Sequence, residues 1–141
     1  MNECKGATPR RRILLADDDD ALQRVVQRLA ERRGHELLQA TTGGGALALA
    51  ITSQPDIIVL DLQFPDADGR DVLCKLKADE RTKRIPVVVW SGRDGHGSDS
   101  KISLTRGAED FVEKGEAGML LLKLERVLLR LDEARAFPAA S

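Results

Sequence analysis

Short apolar runs alternate with segments of helical periodicity along this chain. Five runs are predicted to form strands: Ile13–Ala16, Glu36–Ala40, Ile57–Leu60, Ile85–Trp90 and Asp110–Val112. Five helices are predicted between and after them, the fourth short and poorly formed: Ala21–Arg33, about Gly44–Ser53, Gly69–Ala78, around Lys101–Arg106, and Gly118–Arg135. Apolar runs without polar alternation are typical of strands covered on both faces, so we expect a parallel sheet. The element order therefore predicts an α/β fold, a doubly wound (βα)5 three-layer sandwich.

Helix ends carry recognisable capping residues. Asp19 or Asp20 is expected to cap the first helix and Gly34 to end it, while Thr42 opens the second. The apolar residues of the first helix follow the i, i+3, i+4, i+7 pattern: Leu22, Val25, Val26 and Leu29.

Length and charge restrict the class of protein. The 141 residues suffice for one domain, which we place over residues 12–135 between a flexible leader (1–11) and a C-terminal tail (136–141). The formal net charge of −1 gives no support to a nucleic-acid binder. Cys4 and Cys74 lie in different contexts, which favours a reducing, cytoplasmic location over a disulfide framework. The longest apolar runs are too short to span a membrane, and no apolar segment follows the charged N-terminus, so a signal peptide is not expected.

Polar residues follow the predicted strands at their carboxyl ends. Asp17 and Asp18 follow the first strand, Asp61 the third, Ser91 the fourth and Lys114 the fifth. Each alone is commonly a cap, a turn or a solvated residue. Parallel strands end at one edge of a sheet, where doubly wound folds carry their sites, so we expect all five to converge. Oxygen ligands of this kind suit Mg²⁺, and the set predicts a site for a hard cation and a phosphoryl group.

The formal charges of the three aspartates, Lys114 and a bound Mg²⁺ balance. Asp17, Asp18 and Asp61 sum to −3, while Mg²⁺ and Lys114 supply +3. With the metal, Asp61 can remain an anion and attack phosphorus to give an acyl phosphate. The phosphoryl group adds about one negative charge, which Lys114, the metal, the Ser91 hydroxyl and loop N–H groups are placed to receive.

Four motifs resemble the receiver domain of two-component response regulators, over roughly residues 12–134. They are ILLADDD at 13–19, DIIVLDLQFPDADG at 56–69, IPVVVWSG at 85–92 and GAEDFVEK at 107–114. The Asp61-x₃-Pro65-x₃-Gly69 spacing after an apolar strand is specific. The resemblance, to stand-alone chemotaxis receivers in particular, implies a flavodoxin-like sheet of order 2-1-3-4-5.

The resemblance also implies the metal site and the acceptor. Asp61 is expected to be the phospho-acceptor and a Mg²⁺ ligand. Asp18 is expected to bind the metal directly, and Asp17 through water. Gln63 is expected to offer its backbone carbonyl, so its side chain is unconstrained.

The resemblance assigns the response to phosphorylation to other residues. Ser91 is expected to be the switch hydroxyl, Lys114 to pair with the phosphoryl oxygens, and Phe111 to take the place of the aromatic switch residue. The family usually has Pro after the lysine, whereas this chain has Gly115. A trans bond is therefore expected there, and the rigidity with which Lys114 is aimed is in question.

These residues predict a signalling module rather than an enzyme, beyond assistance to its own phosphotransfer and autodephosphorylation. A histidine kinase or histidine phosphotransfer protein would be the donor in a Mg²⁺-dependent reaction. No output domain follows the last predicted helix, so output is expected through phosphorylation-dependent protein binding. Two alternatives stay open: a pseudo-receiver that only docks, and a small haloacid-dehalogenase-like phosphohydrolase. The phosphohydrolase would place its nucleophile after the first strand, so comparing Asp61→Asn with Asp17→Asn separates it from a receiver, in which Asp61 is the labelled residue.

Three further features concern partners and motion. A helical wheel of the final helix gives a core stripe of Leu120, Leu124, Val127, Leu128 and Leu131. Nearly opposite lies a predicted partner surface: Met119, Leu122, Arg126 and Leu129. One option for the partner is a second copy of the chain, in a homodimer formed through the fourth helix, fifth strand and fifth helix (the 4-5-5 face). The segment Gly92–Arg106 is expected to be the mobile part of the switch, and Trp90, beside Ser91, to report on the site.

Overall fold

The computed structural model of the chain describes residues 10–92, 104–115 and 117–136. Five strands form one sheet: β1 (Arg12–Ala16), β2 (Glu36–Ala40), β3 (Ile57–Leu60), β4 (Val87–Ser91) and β5 (Asp110–Glu113). All pairs are parallel, and the order is β2-β1-β3-β4-β5. Four helices have bounds within the described ranges: α1 (Asp20–Arg32), α2 (Gly43–Ser53), α3 (Gly69–Ala78) and a C-terminal helix (Ala117–Ala136). The predicted flavodoxin-like, doubly wound fold and its strand order are confirmed.

Both faces of the sheet are covered by helices. Alternate residues of a strand point to opposite faces, so Leu14 joins a core cluster with residues of α2 and α3, whereas Leu15 joins one with α1 and the C-terminal helix. The predicted stripe of the C-terminal helix is buried at Leu120, Leu124, Val127 and Leu128 and packed against the second cluster at Leu131. This is the three-layer arrangement that the apolar runs predicted.

Most helix ends follow the predicted caps. The Asp19 carboxylate accepts the Leu22 N–H at 3.1 Å, and Thr42 Oγ1 accepts the Gly45 N–H at 2.9 Å. Gly34 follows α1 with a φ of +82°, a conformation that glycine adopts without strain. The predicted fourth strand starts two residues too early, because the Ile85 N–H instead closes a turn onto the Thr82 carbonyl.

The inner face of α1 departs from the apolar pattern. Val25 is 47% exposed, whereas Gln23 is buried. The Gln23 side-chain amide lies 3.0 Å from the carbonyls of Leu15 and Asp17 and 3.2 Å from that of Ala40. Gln23 therefore ties α1 to the carboxyl ends of β1 and β2, where strand carbonyls need donors.

Some predictions fall outside the described residues. In the short fourth helix, Leu104 and Thr105 are helical, but positions 101–103 are not described. The predicted mobility of Gly92–Arg106 lies outside the described residues over 93–103. Among the described helices, none combines the length and apolar character that crossing a membrane requires.

Candidate functional site

Backbone pairing places the predicted site residues along one edge of the sheet. Asp17 follows β1 and donates its N–H to Ala40 at 2.9 Å, and Asp61 follows β3 and donates to Ala16 at 3.0 Å. Lys114 follows β5 and donates to the Ser91 carbonyl at 2.8 Å. These bonds continue the strand ladders by one residue, so the sheet itself fixes the spacing of the side chains.

Three carboxylates and one ammonium meet at this edge. Carboxylate oxygens of Asp17, Asp18 and Asp61 lie within 4.8 Å of one another. Lys114 Nζ lies 2.5 Å from Asp17 Oδ2 and 3.5 Å from Asp61 Oδ2. Three negative charges against one positive leave the cluster at −2. An all-oxygen cluster of that charge suits a divalent hard cation such as Mg²⁺.

The surroundings of Asp61 act on its pKa in opposite directions. Burial raises the pKa of this carboxyl, the Lys114 charge lowers it, and Asp17 raises it. The backbone N–H groups of Leu62, at 2.8 Å, and Gln63 also lower it. The net effect is a pKa above the ordinary value of 3.8. A bound cation would oppose this by favouring the carboxylate form.

Lys114 is held in its charged form. Burial lowers the pKa of its ammonium, but the hydrogen bond and charge of Asp17, together with Asp61, raise it overall above 10.5. Its Nζ also lies 5.4 Å from the centre of the Trp90 ring, which is within cation–π range. The buried Trp90 is therefore in direct contact with a site residue.

The three carboxylates and Lys114 line an open cavity of about 740 Å³. Ser91 lines it and is 7% exposed. Other predicted residues that line it are Asp17, Asp18, Asp61, Gln63 and Lys114. The Asp61 side chain, which is 10% exposed, opens onto this cavity.

Gly69 holds the loop after Asp61 close to β3. Its N–H donates to the Leu62 carbonyl at 2.8 Å. A Cβ at this position would lie 2.2 Å from the Asp61 carbonyl oxygen and 2.5 Å from Leu62 Cα. The Asp61-x₃-Pro65-x₃-Gly69 spacing therefore has a steric cause, since only glycine allows α3 to begin against this backbone.

Asp66 ties the same loop to α2. Its carboxylate accepts the N–H groups of Gly43 at 2.8 Å and Gly44 at 3.1 Å. These two bonds lower the pKa of Asp66 below 3.8. The loop that carries Gln63 is thus anchored to the first turn of α2.

Other predicted residues lie away from the cavity. Phe111 is partly buried and packs against the core cluster that includes α2 and α3 residues. Met119, Leu122 and Leu129 are 60%, 45% and 57% exposed, and Arg126 is also exposed. The outward orientation of the predicted partner surface is therefore as expected, while its binding role stays a prediction.

Arg70 also lines the cavity, and the reasoning from sequence did not identify it. It is the second residue of α3, where a cation opposes the helix dipole. A basic residue directly after Gly69 is the signal that could have drawn attention to it.

Comparison with known proteins places this site in a family. Residues 13–124 match the family described as the response regulator receiver domain. The chain belongs to this family. The receiver domain match runs from the second residue of β1 through β5 and includes part of the C-terminal helix.

Individual curated proteins are also similar to this chain. The chain is 33% identical over 129 residues to the transcriptional regulatory protein AfsQ1 of Streptomyces coelicolor, covering 92% of this chain and 56% of that protein. It is 30% identical over 118 residues to protein PilH of Pseudomonas aeruginosa, covering 84% of this chain and 97% of PilH. Against several other curated relatives the chain spans half of their length or less.

Solved structures show the same architecture. The signal receiver domain of a Luxo repressor protein from Vibrio parahaemolyticus superposes with a TM-score of 0.81 and 26% identity. The alignment covers 94% of this chain and 100% of that one.

Proposed function

We propose that this receiver domain accepts a phosphoryl group on Asp61 and signals through phosphorylation-dependent protein binding. The donor would be the phosphohistidine of a sensor histidine kinase or histidine phosphotransfer protein. The observation that carries the proposal is a buried Asp61 carboxylate that lines an open cavity, 3.5 Å from Lys114 Nζ and grouped with Asp17 and Asp18. A cytoplasmic location belongs to the same proposal.

The described residues fit a magnesium ion. Asp18 and Asp61 would hold it directly, Gln63 through its backbone carbonyl and Asp17 through water. The net charge of −2 on the acidic cluster with Lys114 supports a divalent cation. When bound, Mg²⁺ supplies charge neutralisation to the acceptor and to the transferring phosphoryl oxygens.

The chemistry required of the chain is nucleophilic. An Asp61 oxygen forms a bond to phosphorus while the phosphorus–nitrogen bond of the phosphohistidine breaks, and the imidazole leaves as the product base. Lys114, whose pKa is raised, stays an ammonium and binds the phosphoryl oxygens. The donor would reach the Asp61 carboxylate through the open cavity that this residue lines.

In this proposal, Ser91 and Phe111 carry the conformational response to phosphorylation. Ser91 ends β4 at the cavity wall, and its hydroxyl can donate to a phosphoryl oxygen. Phe111 pairs with Val89 across β4 and β5, and Val89 lies two residues before Ser91 in the same strand. In this proposal, a movement of Ser91 would be transmitted along β4 to Val89 and from there to Phe111.

A labelling experiment tests this function. The purified protein is incubated with a small acyl phosphate and Mg²⁺, and its intact mass and modified peptide are measured. We expect one phosphoryl group on Asp61, none in Asp61→Asn, and none in excess chelator. Asp20→Asn is the matched control, because it removes an exposed carboxylate of the same acidic run that is not among the residues lining the cavity, and it should be labelled like the wild type. A label retained in Asp61→Asn contradicts the proposal, and the absence of any label in the wild type supports a docking module instead.

A further inference from the structure

Trp90 is a buried neighbour of the site lysine. Its side chain is 1% exposed and belongs to the core cluster that contains residues of α1, β1 and the C-terminal helix. Lys114 Nζ lies over the ring, 5.4 Å from its centre, a separation at which an aromatic face attracts a cation. The ring is therefore a fixed wall beside a lysine side chain that is still 22% exposed.

The register of β4 and β5 brings these two side chains together. Trp90 pairs with Val112, and the Lys114 N–H continues the ladder to the Ser91 carbonyl at 2.8 Å. Successive side chains of a strand alternate between the two faces of a sheet, so Lys114 leaves the backbone on the face of Val112 and Trp90. A Cβ built on Gly115, by contrast, would meet no described atom within 4 Å. The lysine thus packs toward β4 rather than toward the segment that follows it.

A core residue that only fills space would not need an indole at position 90. Trp90 Nε1 is buried and has no hydrogen-bond partner among the described residues. A buried N–H without a partner is unfavourable, and buried tryptophans usually find one. Phenylalanine or an aliphatic side chain would avoid this loss. Among aromatic side chains tryptophan attracts a cation most strongly, so its contact with Lys114 provides a reason for its presence.

Two further neighbours of Lys114 Nζ are carboxylates that a metal ion would share. Asp17 Oδ2 lies 2.5 Å away and Asp61 Oδ2 lies 3.5 Å away. Both aspartates belong to the cluster that would hold Mg²⁺, so their charge would act on the metal as well as on the lysine. The Trp90 ring is uncharged and is not a metal ligand. Its attraction for the ammonium therefore does not depend on the metal.

We propose that Trp90 is a positioning residue, whose ring face holds the Lys114 ammonium where the oxygens of a phosphoryl group on Asp61 arrive. This inference rests on the proposed function. A lysine has a flexible four-carbon stem, and fixing it in one place loses rotamer entropy. An ammonium that is already in place stabilises the incoming charge without being reordered at that moment.

Fluorinated tryptophans test the inference, because the chain contains a single tryptophan. A fluorinated tryptophan supplied during expression therefore changes position 90 alone. Each added fluorine weakens the negative face of the ring, to which the cation is attracted, and changes its shape little. Affinity for beryllofluoride, a phosphoryl mimic, is measured by fluorine NMR at saturating Mg²⁺ for the wild type and for the mono-, di- and trifluorinated proteins. Calorimetry gives the Mg²⁺ affinity of the same samples.

We expect beryllofluoride to bind more weakly with each added fluorine, about tenfold in total, because a desolvated cation–π contact is lost in steps. The Mg²⁺ affinity should stay that of the wild type, since the acidic ligands are unaltered. Equal beryllofluoride affinities across the series would overturn the inference. A parallel loss of Mg²⁺ affinity would do so too, because fluorine would then act on the acidic cluster and not on the lysine.

A second measurement follows the contact itself in the metal-free protein. Lys114 side-chain protons that lie over the ring should resonate upfield of those of the other lysines, and Lys114→Arg identifies their signal by its loss. We expect Trp90→Leu to remove this upfield shift and to weaken beryllofluoride binding. Val88→Ala, in the same buried strand and core cluster, is the control for lost packing and should do neither.

The outcomes separate the inference from the proposed function. An unshifted Lys114 signal in the wild type, or equal effects of Trp90→Leu and Val88→Ala, would contradict a positioning role. If Trp90→Leu does not fold, the fluorinated series decides. A wild-type protein that shows the upfield signal but binds no beryllofluoride at saturating Mg²⁺ would instead overturn the proposed function, and the inference with it.

Discussion

Gly69 lets α3 begin close to the end of β3, because it has no side chain. Because a Cβ there would overlap the backbone of Asp61 and Leu62, Gly69→Ala must push α3 away from the end of β3. We expect it to lower the free energy of unfolding by about 2–3 kcal/mol, as overpacking of a closed contact does. Urea unfolding measures the loss.

Gly118 offers the control for that substitution. It lies in the first turn of the C-terminal helix, and a Cβ there meets nothing within 4 Å. Gly118→Ala is expected to leave stability unchanged or raise it by about 0.5–1 kcal/mol, because glycine is a poor helix former. If Gly69→Ala were as stable as Gly118→Ala, the steric account of the motif glycine would be wrong.

Individual residues differ in how far the sequence could predict them. Asp17, Asp61 and Lys114 could be placed, because strand ends in a parallel sheet share one edge. The buried position of Gln23 could not be predicted, because the apolar pattern assigns a polar residue to the surface. The pattern also does not show that the carbonyls at the strand ends accept hydrogen bonds from the Gln23 amide. Arg70 was missed for a similar reason, because its place depends on which way the first turn of α3 faces the cavity.

At the scale of elements, a cluster around Glu125 joins the C-terminal helix to the segment between α1 and β2. Arg33 donates two bonds to the Glu125 carboxylate, from Nε at 2.6 Å and Nη2 at 2.5 Å. His35 Nε2 lies 2.8 Å from the same carboxylate, while its Nδ1 accepts the Arg11 N–H at 3.1 Å. Since Nδ1 is an acceptor here, the proton of a neutral His35 is on Nε2 and points to Glu125.

Glu125→Gln tests this connection. Burial raises the pKa of Glu125, but the hydrogen bonds and charges of Arg33 and His35 lower it overall below 4.5. A carboxyl with a lowered folded-state pKa stabilises the fold above its unfolded pKa and loses that contribution as the pH falls. We expect Glu125→Gln to be about 1 kcal/mol less stable at pH 7, a value reduced for the exposure of Arg33.

The pH dependence separates this effect from a general loss of stability. The difference in unfolding free energy between wild type and Glu125→Gln should shrink as the pH falls below 4.5, when the wild-type carboxyl becomes protonated. Glu133→Gln, at an exposed position of the same helix, should show no such trend. A difference that stays constant from pH 7 to pH 3.5 would contradict the role of the Glu125 charge.

At the scale of the whole molecule, the strand order determines which site residues become neighbours. Hydrophobic runs predicted (βα)5 and a shared edge, but they contain no information on which strands pair; the order 2-1-3-4-5 came from the family resemblance. In the structure β1 lies between β2 and β3, so Asp17 and Asp61 follow adjacent strands. The acidic cluster is therefore a consequence of topology as much as of residue type.

The outer face of the C-terminal helix is predicted to be a partner surface, which concerns the molecule as a whole. Met119, Leu122 and Leu129 lie on the outward side of this helix, and Leu122 and Leu129 are 45% and 57% exposed. An exposed group of large apolar side chains is unfavourable in water and is typical of an interaction surface. We expect Leu122→Glu with Leu129→Glu to weaken self-association of the beryllofluoride-bound protein at least about tenfold, because two charges would enter an apolar contact. Analytical ultracentrifugation with Mg²⁺ and beryllofluoride measures this.

Val25→Glu is the matched control for the leucine pair, since Val25 is an apolar side chain 47% exposed on α1. It introduces one new negative charge, against two in the leucine variant, at similar exposure on a different helix, and it should leave self-association unchanged. Equal effects of the two changes would mean that added negative charge, rather than the leucine surface, controls association. If the wild type associates on beryllofluoride binding and the leucine variant associates just as strongly, the self-association surface lies elsewhere on the molecule.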